Sequence, residues 1–151
     1  LYLHPLSSYS QKAIMAFYEK DVPFAPRLLD NGPTSAELAE LWPIARFPIL
    51  TDQGRMVFEA TGIIEYLDAR HPTDPRLIPG DPLAAVEVRM WDRFFDNYVS
   101  TPQGHIVFAS IGREPPHEAA HRAALDTAYA VLDQRMRGRD WVAGGGRSRR
   151  R

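Results

Sequence analysis

Three serines, Ser7, Ser8 and Ser10, stand where the chain passes from Leu1-Tyr2-Leu3-His4-Pro5-Leu6 into Tyr9-Ser10-Gln11-Lys12. The stretch reads as a short apolar strand, a proline-bent loop and the start of a helix. A helix N-terminus presents unpaired N–H groups and a partial positive charge, so it stabilises anions. A hydroxyl placed there does one of two things: it donates to an anion such as a thiolate, or it caps the helix. The sequence leaves both roles open for all three serines.

A second grouping, His117-Glu118-Ala119-Ala120-His121, has the H-E-x-x-H pattern. Two histidines at i and i+4 on a helix hold zinc, with the glutamate as base. Catalytic zinc also needs a third protein ligand and a cleft. The other histidines, His4, His71 and His105, all lie upstream. Pro115-Pro116 sets the pattern in an exposed first helical turn, where Glu118 suits the dipole. No metal site is expected. Cysteine is absent, which removes disulfides, thiolate zinc ligands and a cysteine nucleophile, and fits a cytoplasmic protein. The chain contains no G-x-G-x-x-G and no P-loop.

The 151 residues are 44% hydrophobic and 25% charged, enough apolar material for a sizeable core. No apolar run approaches membrane-spanning length, and no charged-then-apolar leader opens the chain. The net charge is −1, and the last five residues, Arg147-Ser148-Arg149-Arg150-Arg151, hold four of the 18 basic groups. The rest of the chain is therefore acidic, which argues against a nucleic-acid surface. Neither nucleic acid nor membrane is expected as a partner.

The elements that must position the serines follow from pattern. Ala13, Ile14, Ala16 and Phe17 recur at helical spacing, with Ser8 as N-cap and Gln11 reaching back in a capping box. Phe24–Leu29 reads as a strand that Pro26 keeps short or at an edge. Thr34-Ser35-Ala36-Glu37 is a second capping box, opening a helix through Leu41. Phe47–Leu50 and Met56–Phe58 read as strands joined by a turn at Asp52-Gln53-Gly54-Arg55. A helix over 61–69 follows, giving the order β-α-β-α-β-β-α. Residues 72–81 have a proline-rich linker composition. Beyond them Leu83–Val99, a continuation past Thr101-Pro102, and His117–Arg137 are all helical, before a tail over 144–151.

Ser7-Ser8-Tyr9-Ser10, Phe47-Pro48-Ile49-Leu50, Glu59-Ala60 ahead of Ile63-Ile64-Glu65-Tyr66-Leu67-Asp68, and Leu77-Ile78-Pro79 with Asp81-Pro82 resemble, in that order, the glutathione transferase family. The resemblance implies an α/β thioredoxin-like domain over 1–71, the linker over 72–81, and an all-α helical domain over 82–143. It also implies further helices where the Gly/Arg tail stands, so the helical domain is expected to be incomplete.

The implied activity is conjugation of the glutathione thiolate to a small apolar electrophile. Ser7 falls where relatives carry the residue that contacts the glutathione sulfur, with Ser8 and Ser10 as competitors. Pro48 matches a cis-proline, and the main chain of Phe47 pairs with the cysteinyl part of glutathione. Arg46 faces the glycyl carboxylate. Glu59-Ala60 matches a Glu/Gln-Ser pair that holds the γ-glutamyl end. Here the serine is Ala60, and Thr61 is a possible substitute. Trp91, Phe94 and Phe95 are expected as core between the domains, and Tyr98 and His105 as lining a co-substrate pocket across from Ser7. A homodimer through the helices after Thr61 and Leu83 is expected. Two alternatives stand beside this reading. One is a non-catalytic interaction module, favoured by Ala60 and the tail. The other is a glutathione-dependent isomerase, suggested by the Ser-Ser-x-Ser pattern.

Overall fold

A computed structural model describes residues 1–30, 32–73, 75–113 and 118–144. Asn31, Asp74, His117 of the H-E-x-x-H pattern with Pro115-Pro116 before it, and the tail from Gly145 lie outside the described residues. The chain divides into two units, Leu1–Ile78 and Pro79–Arg151.

The first unit has strands β1 (Tyr2–Leu3), β2 (Arg27–Leu28), β3 (Ile49–Asp52) and β4 (Arg55–Phe58), in the order β2-β1-β3-β4. β1 runs parallel to β2 and antiparallel to β3, and β3 pairs antiparallel with β4. Helices α1 (Ser8–Glu19), α2 (Pro33–Leu41) and α3 (Ala60–Arg70) complete a thioredoxin-like unit. Tyr2, Leu3, Ile49 and Leu50 are all buried. They show no alternation because helices cover both faces of the central strands. On one face Leu3 and Leu50 pack with Ala13 and Phe17 of α1 and Ile63 and Leu67 of α3. On the other, Tyr2, Leu29 and Ile49 pack with Leu38 of α2. The β3–β4 turn holds Gln53 and Gly54 at φ 49° and 79°, the two left-handed residues that a tight primed hairpin turn requires.

Three local expectations are corrected. The second strand is short and at an exposed edge, as Pro26 implies, but covers only Arg27–Leu28 of the expected Phe24–Leu29. Pro26 has no N–H to donate, and the pairing ahead of Arg27 is carried by the Ala25 carbonyl, which accepts from the Leu1 amino group at 2.9 Å. The cap of α1 is Ser7 rather than Ser8. Ser7 N donates to His4 O at 3.0 Å, and Ser7 Oγ accepts from Ser10 N at 3.3 Å. Gln11 Nε2 donates to Pro5 O at 2.7 Å instead of closing a capping box. At α2, Pro33 occupies the first turn behind Gly32, and no side chain caps the helix. Glu37 is drawn away to Arg27 and to the Tyr2 hydroxyl, which donates to it at 2.6 Å. That bond, then burial and the Glu37 charge, raises the Tyr2 pKa.

A buried ion pair locks the base of this unit. Lys20 Nζ lies 2.9 Å from Asp68 Oδ1, with both side chains almost wholly buried. Lys20 also donates to Thr73 O at 2.7 Å and Pro75 O at 3.2 Å. Asp68 accepts from the N–H of Leu77 at 3.0 Å and of Ile78 at 2.9 Å. Burial alone pushes the Asp68 carboxyl up, but the Leu77 N–H, the Lys20 ammonium and the Ile78 N–H together hold it below the usual carboxylate range.

The second unit has helices α4 (Pro82–Phe94), α5 (Thr101–Ser110) and α6 (Glu118–Met136), with a π-helical segment over Phe95–Ser100. Asp81 caps α4, its Oδ1 accepting from Ala84 N at 2.8 Å, with Pro82 in the first turn. Pro102 lacks an N–H and its ring excludes the carbonyl four residues back, and the widened π turn before it accommodates both. Trp91 and Phe94 are half-buried, whereas Phe95, expected in the core, is exposed. Successive helical residues point about 100° apart, so Phe94 and Phe95 cannot share one face. Leu83, Val86 and Met90 are exposed along α4. No helix among the described residues is long and apolar enough to cross a membrane.

Candidate functional site

Chain direction collects the first unit's candidate residues at one end of its sheet. β1 finishes at Leu3 and leads to Ser7. β3, antiparallel to it, starts at Ile49 just after Pro48, and β4 finishes at Phe58 just before Glu59. The His4 and Phe47 rings lie 6.2 Å apart and set the two loops side by side.

The serines separate by environment. Ser10 is fully buried and its Oγ accepts from His4 N at 3.3 Å, so it ties the loop to the start of α1. Ser8 is exposed in the first turn of α1. Ser7 is half-buried at the cap itself. Its oxygen accepts from Ser10 N, and its own proton donates to no group among the described residues. A capping serine of this kind retains a donor at the positive end of a helix.

The Phe47–Pro48 peptide bond is cis, and Pro48 is buried. The β1–β3 ladder pairs Tyr2 with Ile49, so the main chain of Phe47 lies beyond it. Arg46 is exposed in the loop after α2, next to Ala45 at φ 53°. Trp42 stacks on Phe58 at 4.9 Å and braces this loop against β4.

At α3 the cap residue is Glu59, at φ 62° and ψ 132°, with no side-chain cap bond. A non-glycine residue in this region costs about 1–3 kcal/mol. The helical ladder begins with Ile63 N donating to Glu59 O at 3.0 Å, so the N–H groups of the first turn point out of the helix end. Ala60 is buried, and Thr61 accepts at Oγ1 from Lys12 Nζ at 3.5 Å. That contact joins the beginnings of α1 and α3.

Tyr98 and His105 belong to the second unit. Tyr98 is exposed and packs against Phe94 at 5.4 Å, while His105 stacks on His121 at 4.6 Å. Sequence reasoning passed over Lys12 and the Lys20–Asp68 pair. Their only signal was a charge on a helix face whose neighbours are apolar. Cavities of about 750 and 650 Å³ open around Tyr66, Arg70 and the β3–β4 turn, at the other end of the sheet from Ser7 and Pro48.

Residues 1–75 match the family model for the glutathione S-transferase N-terminal domain. A stringent starvation protein A homolog of Coxiella burnetii is 38% identical over 90 residues, 60% of this chain and 43% of that protein. Glutathione S-transferase U10 of Arabidopsis thaliana is 29% identical over 133 residues, 87% of this chain and 56% of that protein. The chain spans about half the length of these curated relatives. Among solved structures, a delta-class glutathione transferase of Nilaparvata lugens superposes with a TM-score of 0.83 at 25% identity, covering 97% of this chain and 70% of that one. A glutathione S-transferase of Methylobacterium radiotolerans, complexed with glutathione sulfonate, gives a TM-score of 0.76 at 25% identity, with the same coverage. The chain belongs to the glutathione S-transferase family, and nearly the whole of its first unit is that family's N-terminal domain.

Proposed function

We propose that the chain is a glutathione-dependent transferase whose Ser7 stabilises the glutathione thiolate for attack on a small apolar electrophile. The observation that carries this is the Ser7 hydroxyl, which caps α1 as an acceptor while keeping its own proton to donate. A free thiol has a pKa of about 8.5, and a donor plus a helix N-terminus lowers it. The main chain of Phe47, ahead of Pro48, pairs with the cysteinyl residue as an added strand would. Arg46 faces the glycyl carboxylate, and Glu59, the Ala60 N–H and Thr61 receive the γ-glutamyl end. The thiol proton leaves to solvent. The sulfur lone pair forms the new C–S bond, and the electrophile's leaving group departs with its electron pair. Tyr98 and His105 are the proposed pocket side chains of the helical unit. A homodimer using α3 and α4 is part of this reading, supported by the exposed Leu83, Val86 and Met90. So is a cytoplasmic setting, in keeping with the absence of cysteine.

Calorimetric titration with reduced glutathione tests the proposal. Saturable binding that weakens on Arg46→Ala is expected. No heat at millimolar ligand, with the protein verified as folded, overturns it. A second reading, an interaction module without chemistry, is favoured by Ala60 and by a relative, the stringent starvation protein A homolog, whose name is not that of a transferase. Under that reading glutathione fails to bind.

A further inference from the structure

The β3–β4 hairpin and the last turn of α3 border a cavity of about 750 Å³, at the end of the sheet away from Ser7 and Pro48. Asp52 of β3, Arg55 of β4, Gln53 of the turn, and Tyr66, Ala69 and Arg70 of α3 line it. Asp52 and Arg55 stand opposite each other in the ladder, so their side chains leave the same face of the sheet. Tyr66 and Arg70 are four apart on α3 and share a helix face. The Tyr66 hydroxyl donates to Asp52 Oδ2 at 2.7 Å, which brings that helix face to the hairpin. The Asp52 bond, then burial and the Asp52 charge, raises the Tyr66 pKa, while Arg70 and Arg55 both oppose the rise. Two guanidinium groups from separate elements therefore act on one phenol.

Two arginines share this cavity with one carboxylate. That carboxylate, Asp52, is taken up by the Tyr66 hydroxyl. Arg70 donates to a neutral group, Gln53 Oε1, at 3.4 Å, and Arg55 forms no ion pair among the described residues. A concave site lined by charge of one sign concentrates ions of the other. We propose that this cavity binds a phosphate monoester, its phosphoryl oxygens held between Arg55 and Arg70 and its ester group against Ala69 and Tyr66. One guanidinium fork satisfies the two oxygens of a carboxylate, whereas a phosphoryl group offers three oxygens and suits two forks. The free ion fills only a small part of the cavity, which leaves room for an organic group. The proposal is independent of the glutathione reading, whose residues Ser7 and Glu59 lie at the other end of the sheet.

The test titrates phenyl phosphate and inorganic phosphate into the full chain at constant ionic strength, read by calorimetry and by amide NMR shifts. Saturable binding is expected, tighter for phenyl phosphate, with the amide signals of Gln53, Gly54 and Arg70 moving. Arg55→Gln and Arg70→Gln are each expected to weaken phenyl phosphate roughly tenfold to a hundredfold, as loss of a hydrogen bond to a charged group does. Both side chains are exposed, so their replacement leaves the core intact. Arg122→Gln, on α6, is expected to change nothing. Equal affinity for the two ligands overturns the monoester assignment in favour of the free ion. Arginine variants that bind as the unaltered chain does overturn the site, as does a heat that chloride reproduces. Shifts centred on Ser7 and Ala60 place the phosphate at the helix N-termini and overturn it too. Failure of glutathione to bind overturns the first reading and leaves this one standing.

Discussion

Asp68→Asn is isosteric, yet the structure makes it severe. Every partner of the Asp68 carboxylate is a donor: Lys20 Nζ at 2.9 Å, Leu77 N at 3.0 Å and Ile78 N at 2.9 Å. An amide must turn its NH₂ toward at least one of them, so one buried donor meets another. The ammonium of Lys20, itself buried, then loses its only charged partner among the interactions above. Breaking a buried pair costs about 3–5 kcal/mol, and the carbonyls of Thr73 and Pro75 that still hold Lys20 favour the lower end. About 3 kcal/mol is expected at pH 7. With a urea slope of about 2 kcal/mol/M, the midpoint falls by roughly 1.5 M. The pH dependence adds a second check. Asp68 is held below its ordinary value of 3.8. Its contribution is therefore complete above that value and is lost as pH falls through the lower folded pKa. The stability difference between Asp68→Asn and the unaltered chain should be largest near neutrality and shrink in strong acid. Urea unfolding followed by far-ultraviolet circular dichroism measures it. A difference below about 0.5 kcal/mol at pH 7 would refute the donor-only account of this carboxylate.

Ser7→Ala is expected to cost about 1 kcal/mol of stability through the lost cap and to raise the pKa of bound glutathione, read from its ultraviolet thiolate absorbance against pH. Ala60→Ser is expected to tighten glutathione several-fold by restoring a hydroxyl at the first turn of α3, measured by calorimetry. Ile63→Ala, at a fully buried position between α3 and the sheet, is expected to cost about 2–5 kcal/mol in urea unfolding. Glu59→Gly is expected to stabilise the free protein by about 1 kcal/mol while weakening glutathione, since glycine adopts φ 62° without strain.

What was legible in the sequence followed from local chemistry. The β3–β4 hairpin announced itself in Gln53-Gly54, and α3 in the spacing of Ile63 and Leu67. Both are decided by residues within one turn of each other. The caps were misread because long-range partners decided them. Glu37 fits a capping box by spacing, but Tyr2 and Arg27, distant in sequence, offer it a hydrogen bond and a charge. The three serines could not be separated by type or spacing. Only the path of the loop distinguishes Ser10, turned inward to His4 N, from Ser7, turned to the helix end. Lys20 and Asp68 were invisible for the same reason. Each reads as an ordinary end-of-helix charge until Thr73, Pro75, Leu77 and Ile78 bring their main chain to both.

The candidate site is built mostly of main chain, and this bears on what Ala60 means. The N–H groups at the start of α3, the Phe47 main chain and the end of α1 owe nothing to the side chain at position 60. Losing one hydroxyl therefore removes one bond and leaves the frame. Glu59 points the same way. Its left-handed backbone costs about 1–3 kcal/mol, its side chain is exposed, and it caps nothing. Among the described interactions none offsets that cost in the free protein. The turn joins Phe58, stacked on Trp42, to the buried Ala60, and leaves the first N–H groups of α3 at the helix end, where an anion can be received. A strained turn ahead of an uncapped helix start is what the proposed glutathione reading asks of Glu59, and Glu59→Gly is the variant that tests it.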